Sequence, residues 1–225
     1  MSSARPKIIY FNIRGRAEVI RLMFEELGVA YDEQRLNSAE EWRAMKPLTP
    51  FGAVPIYEEG DLRFAQTQAI HRHIARTRGL YGQNEREHVE CDVAAEAISE
   101  AIEALWRLFW EPDYKDKLQT FAAGPLSDSL LNLERWFTRA SPAPRYWVGD
   151  GLTYADFFAY HFLDEVDALF PAALAARPLL KGFHAAFEAR PRIAAYIASG
   201  RRPVVFGIKI DGFKFDPRLP RTRRK

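Results

Sequence analysis

The hydrophobic pattern of this 225-residue chain changes once, near residue 80. Before that point, short apolar runs alternate with a helical stretch, which predicts strand, helix, strand, a hairpin and a further helix. After it, apolar residues recur only at helical spacing. The sequence therefore predicts an α/β N-terminal domain followed by an all-helical C-terminal domain. We place these domains at 1–80 and 89–203, with a linker at 81–88 and a C-terminal extension at 204–225.

The N-terminal pattern contains two signals beyond strand and helix. Gly15 marks a tight turn between the strand that ends near Tyr10 and the helix that stops at Gly28. Pro55 lies inside the first of two apolar runs around Gly60, so it marks an edge or a bend of that hairpin. The backbone of Val54 is then left to pair with an extended ligand.

The C-terminal pattern predicts five helices, over His88–Trp110, Leu118–Thr138, Thr153–Phe170, Leu179–Arg190 and Ile193–Ser199. Thr153 and Asp156 form a capping-box pattern at the start of the third of these. Residues 208–215 alternate apolar and charged side chains around Asp-Gly, which predicts a hairpin before a basic tail.

Composition excludes several classes of protein. Cys91 is the single cysteine, so no internal disulfide can form, and no apolar run has the roughly 18 residues of a membrane span. Residues 216–225 carry a net charge of +4, whereas the other 215 sum to −2, so the body lacks the basic face of a nucleic-acid protein. His71 and His73 do not share a helix face, which indicates no metal site. We expect a reduced, cytoplasmic protein without nucleic-acid or membrane partners.

Tyr10 is the centre of the predicted chemistry. It places a phenolic donor beside the cations Arg14 and Arg16, an arrangement that suits an anion. The alternative is that Tyr10 packs with its hydroxyl in water and that both arginines are solvated. Thr67 stands at the start of a predicted helix, where free N–H groups and the helix dipole bind carboxylates.

Five motifs in this order resemble the glutathione transferases, particularly the sigma class with its pi and mu relatives. They are Tyr10-Phe11-Asn12-x-Arg14-Gly15-Arg16-Ala17-Glu18, Trp42-x-x-x-Lys46, Pro50-Phe51-Gly52-x-Val54-Pro55, Gln66-Thr67-x-Ala69-Ile70 and Thr153-x-x-Asp156, within residues 7–200. The resemblance implies a thioredoxin-like N-terminal domain, a helical C-terminal domain and a homodimer. It also implies a detoxifying transferase that uses glutathione as co-substrate, without a bound cofactor, and attacks a small hydrophobic electrophile.

The resemblance assigns roles by position. Tyr10 would be the catalytic tyrosine and Arg16 its neighbouring cation. The implied glutathione site consists of Tyr10, Arg16, Trp42, Lys46, Val54, Pro55, Gln66 and Thr67, with Val54-Pro55 as a cis peptide and Gln66-Thr67 on the γ-glutamyl carboxylate. Glu96 or Glu100 would reach the γ-glutamyl amine across the dimer. The implied walls of the electrophile pocket are Phe11, Ile13, Arg14, Trp106, Phe109 and Trp110.

The chain departs from the family pattern at Ala53, where sigma-class relatives often carry a lysine, and at Thr67, where serine is common. Loss of a cation near the glycine carboxylate predicts weaker glutathione binding or tolerance of thiols modified at that end. Two other functions remain open. One is a glutathione-dependent isomerase of the prostaglandin D synthase kind, and the other is a non-catalytic carrier of hydrophobic ligands.

Overall fold

The computed structural model describes residues 4–204 and 206. Its one sheet has four strands, β1 (Lys7–Phe11), β2 (Asp32–Leu36), β3 (Ile56–Glu59) and β4 (Leu62–Ala65), in the order β2-β1-β3-β4. β1 pairs parallel with β2, and the other pairs are antiparallel. β1 is an inner strand of the sheet, and polar residues follow its last residue. The end of β1 therefore lies where the chain emerges from the domain. This is the thioredoxin-like sheet predicted from the sequence.

Three helices belong to this domain: α1 (Glu18–Leu27), α2 (Ala39–Met45) and α3 (Thr67–Thr77). Gly28 ends α1 in the left-handed conformation, with φ +66°. Ser38 caps α2 by accepting the backbone N–H of Glu41 at 3.1 Å. α3 starts two residues after β4 ends, and its first residue lies close to the turn that follows β1.

The rest of the described chain is helical, as predicted. Its elements are α4 (Glu85–Trp110), α5 (Tyr114–Phe121), α6 (Ser127–Phe137), α7 (Tyr154–Leu169), α8 (Pro171–Ala175), α9 (Pro178–Glu188) and α10 (Pro191–Ala198). Every one of these helices is either too short or too polar to span a bilayer. The predicted hairpin at 208–215 lies outside the described residues.

One predicted helix is two. Periodicity favours a continuous helix from Leu118 to Thr138, but a π-helical segment, Ala122–Leu126, separates α5 from α6. Pro125 lies inside that segment and has no N–H to donate, so the regular helical ladder cannot continue through it.

α7 is the central helix of the C-terminal domain and packs against both α4 and α1. The predicted capping box at its start is present: Asp156 accepts the Thr153 backbone N–H at 2.7 Å and the Thr153 hydroxyl at 2.9 Å. Asp156 also accepts the N–H of Trp147 at 2.9 Å, and burial raises its pKa to about 6. These bonds fix the helix that lies against the domain boundary, and loss of such a cap costs about 0.5–2 kcal/mol.

Candidate functional site

Tyr10 lies near the end of β1, and its hydroxyl points into the following turn. The Tyr10 oxygen accepts the backbone N–H of Arg16 at 3.0 Å. Tyr10 is only 6% exposed, and burial raises its pKa above the usual value of a phenol. The side chain is therefore neutral at physiological pH. Because its oxygen already accepts one bond, the phenolic proton is available for an anion.

Gly15 lets the turn approach the tyrosine. Its φ is +41°, a conformation that other residues adopt only with strain, and a Cβ atom there would lie 2.7 Å from the Tyr10 oxygen. A side chain at Gly15 would therefore displace the phenol. The turn requires glycine both for its backbone angle and for its contact with Tyr10.

Arg21 holds the turn in place through hydrogen bonds to its backbone. It is fully buried and donates to the carbonyl oxygens of Ile13 at 2.9 Å and Arg14 at 3.2 Å. Its charge is balanced by Glu18 at 3.0 Å and Glu33 at 2.6 Å. Sequence reasoning missed this residue, because the i,i+3 spacing of Glu18 and Arg21 is also common on solvated helix faces, and Glu33 comes from another element.

Arg16 is held by α4. Its guanidinium pairs with Glu103 at 3.0 Å and lies 5.4 Å from the centre of the Trp106 ring. Trp106 donates its indole N–H to buried Glu165 at 2.8 Å. Burial raises the pKa of Glu165 to about 8. Glu103 and Glu165 were not predicted as site residues, and they lie about 90 and 150 positions from Arg16 in the chain.

A cavity of about 160 Å³ opens between this turn, the start of α3 and the side of α4. Its walls include Arg16, Thr67, His71, Glu100, Trp106 and His161. The cavity joins residues predicted to hold glutathione with one predicted to contact the electrophile. Glu96 also lines it and pairs with Arg72 of the same chain at 2.5 Å.

Gln66 and Thr67 form the start of α3. Gln66 has a φ of +79° and is the non-glycine residue with positive φ in the described part of the chain. Such strain is typical of functional sites. Thr67 is the first residue of a helix whose N-terminus has no side-chain cap. Its backbone N–H groups and the helix dipole are therefore suited to a carboxylate.

The Val54-Pro55 peptide bond is cis, as the resemblance implies. The β1–β3 register ends with Ile9 opposite Ile56, so Val54 lies beyond the paired residues. It stands two residues before β3, an inner strand, so its backbone lies past the end of the β1–β3 ladder, where an extended peptide can pair with it.

Trp42 and Lys46 are the residues that the resemblance assigns to the glycine end of glutathione. Trp42 is 8% exposed and its ring packs edge-on against Phe11, with centroids 5.3 Å apart. Lys46 follows α2, and its Cε lies 3.6 Å from where a Cβ on Gly52 would stand. Lys46 therefore lies next to Gly52, whose neighbour in the chain, Ala53, is exposed.

Two family models match the chain: the N-terminal domain of glutathione S-transferase over residues 6–76 and the C-terminal domain over residues 99–200. The chain is 36% identical to "Glutathione S-transferase P" of Caenorhabditis elegans over 191 residues, which is 85% of this chain and 91% of that one. The chain belongs to the glutathione S-transferase family. The family and the enzyme class predicted from the motifs are thus confirmed.

For two further relatives, the similarity covers almost the whole length of the relative's chain. "Glutathione S-transferase Mu 2" of Macaca fascicularis is 31% identical, with 91% of this chain and 97% of that one covered. The solved structure of the Onchocerca volvulus Pi-class glutathione S-transferase has a TM-score of 0.84 at 29% identity, covering 91% of this chain and 99% of that one. The sequence motifs resemble the sigma class most closely, whereas the names of these relatives assign them to the pi and mu classes.

The residues predicted to contact the electrophile are distributed unevenly in this transferase fold. Trp106 lines the cavity, and Phe11 packs between Tyr10 and Trp42. Phe109 lies in the helical core against Tyr114, with ring centroids 5.2 Å apart. The other two apolar candidates differ in exposure: Ile13 is buried beneath the turn, and Trp110 is 39% exposed at the end of α4.

Arg14, the remaining candidate, is engaged by the C-terminal part of the transferase. It pairs with Asp164 at 2.9 Å and donates to the carbonyl oxygen of Pro203 at 2.9 Å. Its guanidinium lies 4.1 Å from the centre of the Phe206 ring. Gly15 donates its N–H to the Phe206 carbonyl at 2.6 Å. Pro203 and Phe206 therefore cover the turn that carries Arg14.

His71 and His161 line the inner end of the cavity and are almost fully buried. Neither ring has a hydrogen-bond partner among the described residues. Burial lowers the pKa of His71 to about 3 and that of His161 to about 4, so both are neutral at physiological pH. Sequence reasoning missed both as site residues, because it considered His71 only as a metal ligand.

Proposed function

We propose that this chain transfers glutathione to small hydrophobic electrophiles by attack of the glutathione thiolate on an electrophilic carbon, with Tyr10 as the residue that stabilises the thiolate. The observation that carries the proposal is the hydrogen bond from the Arg16 backbone N–H to the Tyr10 oxygen. It fixes the phenol with its proton directed away from the turn. The relatives named glutathione S-transferase, 31–36% identical over most of the chain, support the same function.

The energy of one hydrogen bond is of the right size for this task. A free thiol has a pKa near ~8.5, so only a few per cent is thiolate at neutral pH. Lowering that pKa by about two units requires roughly 2.7 kcal/mol. A hydrogen bond to a charged group supplies about 1.5–3 kcal/mol. Tyr10 suits the task because its raised pKa keeps the proton on the phenol.

The remaining part of the proposal is how glutathione lies in the site. Thr67 at the start of α3 receives the γ-glutamyl carboxylate, and the free backbone of Val54 pairs with the cysteinyl unit. Lys46 and Trp42 hold the glycine end. Bound in this way, the peptide extends past the end of β3 and its sulfur lies beside Tyr10. The electrophile then meets the thiolate on the side of Phe11 and Trp106.

The decisive experiment is a pH titration of bound glutathione, followed by the ultraviolet absorbance of the thiolate. We expect a thiol pKa about two units below the solution value in the unmodified chain, and a return by one to two units in Tyr10→Phe. Tyr31→Phe is the matched control, because Tyr31 is a partly buried tyrosine of the same domain that donates to Glu25 instead.

The outcomes separate the alternatives. A shift lost in Tyr10→Phe and kept in Tyr31→Phe supports the transferase assignment. Glutathione bound with an unshifted pKa would refute it and identify a ligand carrier. If the shift is present but the products are rearranged isomers with no sulfur incorporated, the chain is an isomerase that uses the same thiolate.

The proposal includes a cytoplasmic homodimer that serves detoxification. Two pairs of large apolar side chains are exposed in the single chain: Leu48 and Phe51 at 62% and 67%, and Val89 and Val93 at 53% and 43%. The first pair lies before β3 and the second on α4. In a two-fold assembly, the loop of one chain would cover the helix of the other, which removes both from water. Glu100, on the same helix as Val93, then lies close to the partner's site.

Light scattering at micromolar concentration tests the dimer. We expect twice the chain mass for the unmodified protein and for Leu179→Ser, which alters an exposed leucine on α9. Phe51→Ser should release monomers. A monomeric unmodified protein, or a Phe51→Ser variant as dimeric as the control, would contradict this assembly.

A further inference from the structure

A second cluster of polar side chains lies between α7 and α9, on the far side of Arg14 from the thiol site. Its members are Asp164 on α7 and His184 with Glu188 on α9. One ligand atom from each lies within 4.8 Å of the others. His184 and Glu188 are four residues apart, so they share a helix face.

The cluster is not joined by hydrogen bonds. The Nε2 of His184 lies 3.7 Å from the Asp164 Oδ1 and 3.6 Å from the Glu188 Oε2, both too long for such bonds. His184 is 8% exposed, and its Nε2 is a buried atom without a hydrogen-bond partner among the described residues. Buried polar atoms normally have a hydrogen-bond partner. The two nearest carboxylate oxygens are too far away to be that partner, so the geometry leaves room for a group bound between them and the imidazole nitrogen.

The separations fit a metal ion. Two ligand atoms each about 2.0–2.1 Å from a tetrahedral zinc ion stand roughly 3.3–3.4 Å apart. The two distances from His184, 3.6 and 3.7 Å, need a few tenths of an ångström of movement. The two carboxylate oxygens lie within 4.8 Å of each other, so the half-exposed Glu188 side chain must rotate toward Asp164 to close that separation. We infer that Asp164, His184 and Glu188 form a divalent transition-metal site, with zinc as the ion that fits best. One imidazole and two carboxylates form a ligand set that zinc accepts.

Neighbouring contacts hold two of the ligands in place. The Asp164 Oδ2 accepts bonds from Arg14 at 2.9 Å and Arg202 at 2.7 Å, which turns the Oδ1 toward His184. Arg202 also binds Glu18 at 2.7 Å, so its positive charge is shared with a second carboxylate. The imidazole of His184 stacks on Tyr160, with ring centroids 5.2 Å apart and planes at 15°. Outer contacts of this kind orient metal ligands.

Access to the site comes from the side of Glu188. Its side chain is 46% exposed, whereas those of Asp164 and His184 are 14% and 10% exposed. An ion can therefore enter from solvent and keep water as its fourth ligand. The site joins α7 to α9 and fixes the carboxylate that holds Arg14. Its role is to brace this part of the fold, and it supplies no step of thiol transfer.

Zinc titration of the full-length, tag-free chain tests the site after removal of metals with a chelator. Calorimetry should show one zinc ion per chain, and cobalt should give the intense visible absorption of tetrahedral coordination. Glu188→Gln should weaken binding more than tenfold, because a neutral amide replaces a charged ligand. This variant alters a half-exposed side chain, so folding is preserved. His184→Gln should abolish the cobalt spectrum.

His88→Gln is the control, because His88 pairs with Glu85 at 3.4 Å on the separate helix α4. Binding kept in the control and lost in both cluster variants supports the site. No zinc binding at micromolar concentration overturns it. Equal binding in the unmodified chain and in Glu188→Gln and His184→Gln also overturns it, because the ion would then lie elsewhere. Thiol activation is independent, so a normal thiol pKa is expected in every variant.

Discussion

Replacing buried His71 by leucine should remove a defined part of the acid sensitivity of this protein. His71 lies edge-on against Phe158, with centroids 4.8 Å apart, and is 1% exposed. Burial lowers its pKa from 6.5 to about 3. Below pH 6.5 the unfolded chain therefore binds a proton at this position that the folded chain does not. The stability provided by the neutral imidazole is complete above pH 6.5 and is lost as the pH falls toward 3.

The size of the effect follows from linkage. At pH 5, one and a half units below the unfolded pKa, the proton on the unfolded chain lowers the free energy of unfolding by about 2 kcal/mol. A folded pKa of 4 in place of 3 would change this figure very little, because both values lie well below pH 5. His71→Leu has no such loss. The variant should therefore lose about 2 kcal/mol less stability than the unmodified chain between pH 8 and pH 5.

Urea unfolding followed by tryptophan fluorescence at pH 8, 7, 6 and 5 measures this difference. All samples need the same protein concentration, because association adds to apparent stability. The control is His88→Leu. The side chain of His88 is 34% exposed on the separate helix α4, so this variant controls for the replacement of a histidine by leucine outside the buried cavity wall. Equal losses in the unmodified chain and in His71→Leu would refute the reasoning that burial keeps His71 neutral.

Two further substitutions test the site itself. Gly15→Ala should raise the pKa of bound thiol by about one unit or more and slow transfer, because its Cβ meets the Tyr10 oxygen at 2.7 Å. Gly60 also has a positive φ, +62°, but a Cβ atom there would meet no atom within 4 Å. Gly60→Ala should therefore lose roughly 1–2 kcal/mol of stability and leave the thiol pKa unchanged. Ala53→Lys should bind glutathione about two- to fivefold more tightly in calorimetry, the size of an exposed ion pair of up to 1 kcal/mol. An affinity equal to that of the unmodified chain would show that the missing cation at this position is unimportant.

The parts of the site that the sequence predicted are those that a short stretch of chain determines alone. The turn between Tyr10 and Arg16 and the helix start at Thr67 each depend on local backbone geometry, whereas the cis bond before Pro55 was implied by the family resemblance. Local signals also place the two strands around Gly60 and the capping box before α7. For most elements, the predicted and observed bounds differ only by a few residues at the ends.

The parts that were missed depend on residues far apart in the chain. Arg21 and Glu18 are charged positions that sequence reasoning leaves in solvent, yet both are fully buried because Glu33 and Arg202 neutralise them. Glu165 acts on the site through Trp106, which it binds, and lies 3.6 Å from His161 in the cavity wall. Periodicity also failed at Pro125, where apolar spacing continues although the hydrogen-bond ladder does not.

The contact between the first turn and the end of the described chain also sets an order of events during synthesis. Arg14 binds the carbonyl of Pro203, which is 189 positions later. At roughly 5–20 residues per second, the ribosome takes about 10 to 40 s to make the intervening chain. The contacts from Arg21, Glu103 and Asp164 come from earlier parts of the chain, so the contacts from Pro203 and Phe206 are the last to reach the turn. A truncated translation product that stops before Arg202 would therefore carry every motif of the thiol site without the contacts that cover it.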